Sequence, residues 1–80
     1  MKELLKNVDK IHTTLLGEKR IKENLDINED VLDYCKKKVL NQHCQITRKG
    51  KNWYCEIDNV VITINAYSYT IITAHIKEDD

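Results

Sequence analysis

The sequence lacks an excess of charge of either sign and any continuous apolar run. Thirteen basic residues balance thirteen acidic ones, which removes the usual argument for a polyanion-binding protein. The stretch from Asn59 to Ile76 carries no formal charge apart from that of His75, but its many Thr, Asn, Ser and Tyr residues exclude a membrane span. The N-terminal MKELLKNVDKIH is amphipathic and has no apolar signal-peptide core, so we expect a cytoplasmic protein with no membrane partner.

Paired cysteines and metal-binding spacings are also missing. Cys35, Cys44 and Cys55 are odd in number and fit no disulfide framework. The stretch CKKKVLNQHC includes His43 between two cysteines, but its spacing matches no short zinc knuckle. We therefore predict free thiols, no metal site and no cofactor.

The first half of the chain shows helical periodicity. At 80 residues, the chain has room for a single domain with one core. An apolar stripe predicts a first helix from Lys2 to His12, and it is formed by Leu4, Val8, Ile11 and Leu15. Thr13 or Thr14 is the expected N-cap of a second helix through Glu18 to Leu25, anchored by Leu16, Ile21 and Leu25. Asp26 or Asn28 should begin a third helix, whose inward stripe is Val31, Leu32, Cys35 and Val39.

From Cys44 onward the apolar residues alternate, as in strands. Lys49-Gly50 and Asp58-Asn59 are predicted two-residue hairpin turns. These turns place Trp53 opposite both Ile46 and Ile64. Directly paired residues share a sheet face, so one face should be apolar: Cys44, Ile46, Trp53, Cys55, Ile57, Val60, Ile62 and Ile64. The predicted fold class is α+β, with three N-terminal helices packed on one face of a four-stranded antiparallel β-meander.

The last hairpin leaves two registers open. A three-residue loop, Ala66-Tyr67-Ser68, would pair Asn65 with Tyr69 and send Ile72, Ala74 and Ile76 to the core. Thr73 and His75 would then lie on the opposite, open face, whereas a two-residue loop reverses this arrangement. We prefer the three-residue loop because its core set is more apolar, although it lacks the glycine that such a loop often contains.

Three stretches carry a family resemblance: IHTTLLGEKRIKENL, RKGKNWY and ITINAYSYTIITAH. They resemble a family of small bacterial proteins classed as a domain of unknown function, and this resemblance covers nearly the whole chain. It implies a bacterial or phage source. More distantly, helices followed by a four-stranded antiparallel sheet resemble the barnase, colicin and RelE-like ribonuclease fold group. In those enzymes an exposed sheet face carries the acid, the base and the phosphate-binding groups.

On that analogy the open face is a hypothetical site for metal-independent RNA cleavage. Glu56 would act as the base and His75 as the acid, with His12 as a further catalytic candidate. Arg48 or Lys51 would hold a phosphate, and the remaining substrate-binding candidates are Tyr54, Thr63, Asn65, Tyr69 and Thr73. The expected partner is then RNA.

Each of these residues also has a plainer interpretation. His75 near the C-terminus is more often a surface histidine, and His12 more often caps or packs a helix. Trp53 lies on the predicted core face, so it should be an anchor of the core rather than a stacking platform.

Two non-catalytic functions compete with the ribonuclease hypothesis. One is a protein-binding inhibitor of antitoxin, anti-defence or anti-CRISPR type, which would hold a host or phage protein through the Tyr- and Thr-rich face. The other is a homodimer through the C-terminal edge strand. An enzyme needs His75 or Glu56 for turnover, whereas an inhibitor would tolerate the loss of either.

Overall fold

The computed structural model describes residues 3–77. Within them the chain forms three α-helices and a four-stranded antiparallel sheet in the order β1-β2-β3-β4, which confirms the α+β class and the meander. The α-helices are α1 (Glu3–Lys6), α2 (Leu15–Leu25) and α3 (Val31–Leu40). The strands are β1 (Gln45–Lys49), β2 (Asn52–Ile57), β3 (Val60–Asn65) and β4 (Ile71–Ile76).

The predicted first helix is interrupted. After α1 the chain turns at Asn7 and forms a separate 3₁₀ turn over Val8–Lys10, and the predicted start at Lys2 lies outside the described residues. The Asn7 side chain donates a hydrogen bond of 3.0 Å to the carbonyl oxygen of Glu3. Asparagine side chains compete in this way with the backbone bonds of a helix, which explains the break.

Side-chain caps set the starts of the two longer helices. Thr14, one of the two predicted N-caps, accepts a hydrogen bond of 3.0 Å from the Gly17 amide at the start of α2. The start predicted for α3 is wrong: its N-cap is Asp30, which accepts from the Asp33 amide, and Asp26 ends α2 in the left-handed conformation.

One hydrophobic cluster contains residues from the helices and from the strands. The helical stripes contribute Leu4, Ile21, Leu25, Val31, Cys35 and Val39, and the strands contribute Ile46, Trp53, Cys55, Val60, Ile62, Ile64, Ile71 and Ala74. The burial of Trp53, which is 6% exposed, is confirmed. Leu15 and Leu16 were expected in the apolar stripes but are exposed, at 88% and 61%.

The two predicted hairpin turns differ in outcome. Asp58 and Asn59 both have positive φ, as a type I′ turn requires, and Trp53 pairs with Ile64 as predicted. The first turn is displaced by one residue, because Gly50, at φ +59°, occupies the first position of a Gly50-Lys51 loop. Trp53 therefore pairs with Arg48 instead of Ile46.

The third hairpin combines a longer loop with a bulge. Asn65 and Thr70 close a four-residue loop over residues 66–69, so the predicted pairing of Asn65 with Tyr69 is wrong. A register shift then lets Ile71 pair with Ile64 while Thr63 pairs with Thr73. The bulge restores the predicted facing of Thr73, Ala74 and His75. Ile71 takes the core position expected for Ile72, which is exposed.

Candidate functional site

The sheet face opposite the hydrophobic cluster, here called the open face, carries three cross-strand rows of side chains. The register sets these rows because directly paired residues lie on the same face. The first row is Gln45, Glu56, Val61 and His75; the second is Thr47, Tyr54, Thr63 and Thr73; and the third is Lys49, Asn52 and Asn65. Six of the predicted site residues therefore share this face: Glu56, His75, Tyr54, Thr63, Thr73 and Asn65.

Glu56 on β2 and His75 on β4 lie in the same row, and β3 separates the two strands. Val61 on β3 stands between them, so strand spacing separates the two side chains by roughly 10 Å. At that separation they can flank a bound group but cannot share a proton. The Glu56 carboxylate also lies 2.6 Å from the ammonium nitrogen of Lys77, a residue just past β4.

The middle row is uncharged and closely packed. Thr63, at its centre, is 6% exposed, because Tyr54 and Thr73 flank it on the neighbouring strands. Tyr54 is more accessible, at 36%, and its hydroxyl accepts a bond of 3.4 Å from the Asn52 amide group. The row offers hydroxyl groups and one aromatic ring to a ligand.

Two shallow depressions lie at the sides of the open face. Thr73 and His75 line the first together with Ile76 and with Asn24 of α2, whose side-chain amide donates to the Ala74 carbonyl oxygen at 3.3 Å. The second lies at the edge strand β1 and is lined by Thr47, Lys49 and Tyr54. The aromatic ring and the cation of this second depression are groups that recognise a base and a phosphate.

His12 lies elsewhere, at the beginning of β4. Its backbone forms a parallel bridge with Thr70, donating to the Tyr69 carbonyl oxygen at 3.1 Å and accepting from the Ile71 amide at 2.8 Å. Since Thr70 and His75 are five residues apart on one strand, roughly 15 Å of chain separates His12 from His75. The structure therefore does not bring the two predicted histidines into one site.

A polar network surrounds the His12 ring. Nδ1 lies 3.0 Å from the Lys10 carbonyl oxygen, which can only accept, so in the neutral ring Nε2 accepts from the Thr70 hydroxyl, also at 3.0 Å. The Ser68 hydroxyl lies 2.8 Å from that of Thr70 and 3.1 Å from Asn65 Oδ1. Because Thr70 donates its one hydroxyl proton to His12, Ser68 donates to one of these two oxygens at a time. Asn65 Oδ1 also accepts from the Tyr67 and Ser68 amides at 2.9 Å, an Asx turn that shapes the loop.

The other three predicted ligand-binding residues also lie away from the open face. Tyr69 is in the left-handed conformation at φ 61°, packs against the hydrophobic cluster, and has the Lys10 ammonium 6.0 Å from its ring centre. Arg48 shares the core face with its partner Trp53, contrary to the proposed open-face role. Lys51 lies in the β1–β2 turn, where its carbonyl oxygen accepts from the Ala66 amide.

Sequence reasoning missed several residues at these positions. Lys77, Asn24 and Thr70 meet their partners across 21, 50 and 58 residues of chain, and no local pattern reports such contacts. The Asx turn at Asn65 was also missed, although an Asn just before a short loop is a readable signal for it.

The thiols have the properties of buried structural cysteines. Burial raises the pKa of Cys35 and of Cys55 to about 12, and it also raises the pKa of half-buried Cys44. All three are free. Among residues 3–77, His, Cys, Asp and Glu side chains form no group of three that could hold a metal ion.

Three further observations concern membrane-spanning helices and similarity to known proteins. None of the described helices is long and apolar enough to cross a membrane. Neither the curated proteins nor the solved structures give a match to this chain, so the more distant ribonuclease resemblance gains no support from them. A family model described as "Protein of unknown function (DUF3781)" matches residues 5–75, and the chain therefore belongs to this family.

Proposed function

We propose that the open face binds single-stranded RNA and cleaves it in a metal-independent, ribonuclease-like reaction. The observation that carries the proposal is the placement of Glu56 and His75 in one row, about two strand spacings apart. In this proposal all three helices pack on the core face of the sheet, because helices and core face share one hydrophobic cluster.

The chemistry needs an acid and a base on opposite sides of one phosphate. Glu56 would accept the proton of a ribose 2′-hydroxyl as its oxygen attacks the adjacent phosphorus. His75 would donate a proton to the departing 5′-oxygen, which leaves a cyclic phosphate on one product. The exposed Glu56–Lys77 ion pair contributes little to stability, so a substrate phosphate can draw Lys77 toward itself and release the carboxylate.

The same face provides contacts for the rest of the strand. The Tyr54 ring is partly exposed beside Lys49 and Thr47, so a base can stack where a cation is available for the phosphate. We expect this reaction to take place in the cytoplasm. An RNA substrate and the bacterial or phage source that the family resemblance suggests both fit this location.

Incubating the purified protein with a panel of single-stranded RNAs in the presence of a chelator tests this proposal. We expect cleavage products that end in a cyclic phosphate. A protein that neither binds nor cleaves any RNA of the panel would refute it.

A second candidate is a non-catalytic inhibitor that binds a host or phage protein. It is favoured by the engagement of Glu56 with Lys77 and by the uncharged middle row, which together resemble a recognition surface more than a reactive one. A pull-down from a bacterial host with nucleic acid retained distinguishes the two. Capture of one protein at low micromolar affinity, without RNA cleavage, would select the inhibitor.

The homodimer through the C-terminal edge strand is the least favoured alternative. Asn24 already occupies the Ala74 carbonyl oxygen on that edge, and the His12 backbone pairs next to Ile71. Both contacts reduce the backbone groups that a second strand could use.

A further inference from the structure

The guanidinium group of Arg48 is held in place by three contacts. Its central carbon lies 5.4 Å from the ring centre of Trp53 and 5.5 Å from that of Tyr67. Nε donates a hydrogen bond of 3.0 Å to the Gly50 carbonyl oxygen. A long, flexible side chain is thus ordered before any ligand arrives, which lowers the entropic cost of binding.

The outer edge of this guanidinium has no ligand from the protein. Within residues 3–77, neither Nη atom makes a hydrogen bond or a salt bridge. Arg48, Lys49 and Lys51 lie at the β1–β2 turn, and neither β1 nor this turn contains an acidic residue. The charge of the whole chain is balanced, but this end of the sheet is cationic, and a planar fork of donors faces solvent there.

Tyr67 indicates which anion fits. An arginine that only covers the core would need no partner besides Trp53. Tyr67, however, is 74% exposed and lies next to the same guanidinium. An acidic peptide would use the guanidinium and leave the ring unused. A nucleotide uses both, because its phosphate binds the fork and its base stacks on the ring.

We propose that Arg48 and Tyr67 form a second nucleic-acid contact, in which Arg48 binds a backbone phosphate of single-stranded RNA and Tyr67 stacks a base. This inference rests on the proposed RNA-binding function and adds a site on the other side of the sheet. Consecutive residues of a strand face opposite sides, so Lys49 belongs to the open face and Arg48 to the core face of edge strand β1. One RNA strand crossing this edge contacts both.

The site has its own reporters. NMR follows the Arg48 Nε–H and the indole N–H of Trp53, the single tryptophan, whose Nε1 is buried and has no hydrogen-bond partner among the described residues. Titration with inorganic phosphate should shift the Arg48 resonance, and a short oligouridylate should shift both resonances at lower concentration. The matched control is Arg20→Lys, which changes the other arginine of the chain, an exposed residue on α2.

Binding of the oligouridylate to variants completes the test. Arg48→Lys keeps the charge but removes the fork, and should weaken binding about tenfold. Tyr67→Ala should weaken it about five- to a hundredfold, whereas Tyr67→Phe should bind like the wild type. Melting temperatures identify any variant that fails to fold.

The outcomes separate this site from the open face. If Tyr54→Ala abolishes binding while the Arg48 and Tyr67 variants bind normally, the proposed function stands and this inference fails. If the reverse holds, the second contact stands without the open-face site. Arg48-dependent binding of oligoglutamate without binding of oligouridylate would also overturn the inference, since the ligand would then be an acidic peptide.

Discussion

Glu56 and His75 lie in one cross-strand row, with Val61 on the strand between them. If this row cleaves RNA, Glu56→Gln and His75→Ala should each abolish cleavage, because each removes one of the two proton-transfer groups. Stability should change by no more than about 1 kcal/mol, since the Glu56–Lys77 pair is exposed and His75 is a surface side chain. Cleavage assays and thermal melts provide the two measurements.

Gln45→Ala is the control for that pair of variants. Gln45 ends the same row on β1 and carries no acid or base, so its loss should leave the cleavage rate nearly unchanged. Equal cleavage by the Glu56 and His75 variants and the wild type would remove both residues from the mechanism.

How much of this site could be predicted from sequence depended on how local the signals were. The Asp58-Asn59 turn set the pairing of β2 with β3 correctly, because both residues tolerate positive φ and the apolar residues alternate on either side. That pairing placed Tyr54, Glu56 and Thr63 on one face. Such facing follows from a period of two and needs no tertiary information.

The errors arose where a single residue shifted the backbone. Gly50 took the first position of its turn instead of the second, which moved the β1 partners by two residues but preserved their faces. The bulge beside Ile71 corrected the facing after a loop of unexpected length. The contacts of His12 with Thr70 and of Glu56 with Lys77 join distant parts of the chain, so only the folded structure reveals them.

Trp53 provides the strongest test of the core. Trp53→Ala should lower the free energy of unfolding by about 3–5 kcal/mol, because it opens a large cavity beneath Arg48 and beside Ile64. Trp53→Phe should cost less, since it keeps a ring and removes the unpaired indole N–H. Denaturant titration measures both effects. A native emission maximum typical of a water-exposed indole would contradict the burial of Trp53.

A substitution at Gly50 measures how much the left-handed backbone conformation costs a residue other than glycine. Its φ is +59°, and a Cβ atom added there would meet no atom within 4 Å. Gly50→Ala should therefore destabilise the protein by about 1 kcal/mol through conformation alone. Asn59→Gly, at φ 63° in the next turn, should be neutral or slightly stabilising by the same reasoning. An unchanged midpoint for Gly50→Ala would show that this turn has another conformation.

We expect the protein to lose stability at alkaline pH because two of its thiols are buried. Burial raises the pKa of Cys35 and Cys55 from 9.0 to about 12, so the unfolded chain releases these protons at lower pH than the folded protein. The contribution of the buried, protonated thiols to the free energy of unfolding is complete below about pH 9. It declines as the pH rises toward 12, by up to about 1.4 kcal/mol per pH unit for each thiol. Unfolding titrations across this interval should show a shallower decline for Cys35→Ala, whereas parallel curves would refute the assignment.

The His12–Thr70 bond ties the N-terminal segment to the loop before β4, and its contribution can be separated from the backbone bridge beside it. His12→Ala and Thr70→Val each remove one partner of the 3.0 Å bond, and Thr70→Val also removes the contact with Ser68. A double-mutant cycle cancels that second loss, because it is the same whether or not His12 is present. We expect a coupling of about 0.5–1.5 kcal/mol, as for a net intramolecular hydrogen bond, measured by denaturant unfolding of all four proteins. A coupling near zero would mean that water replaces the bond, and that the bond adds nothing to the backbone pairing of His12 with Tyr69 and Ile71 or to the burial of Ile11 in the core.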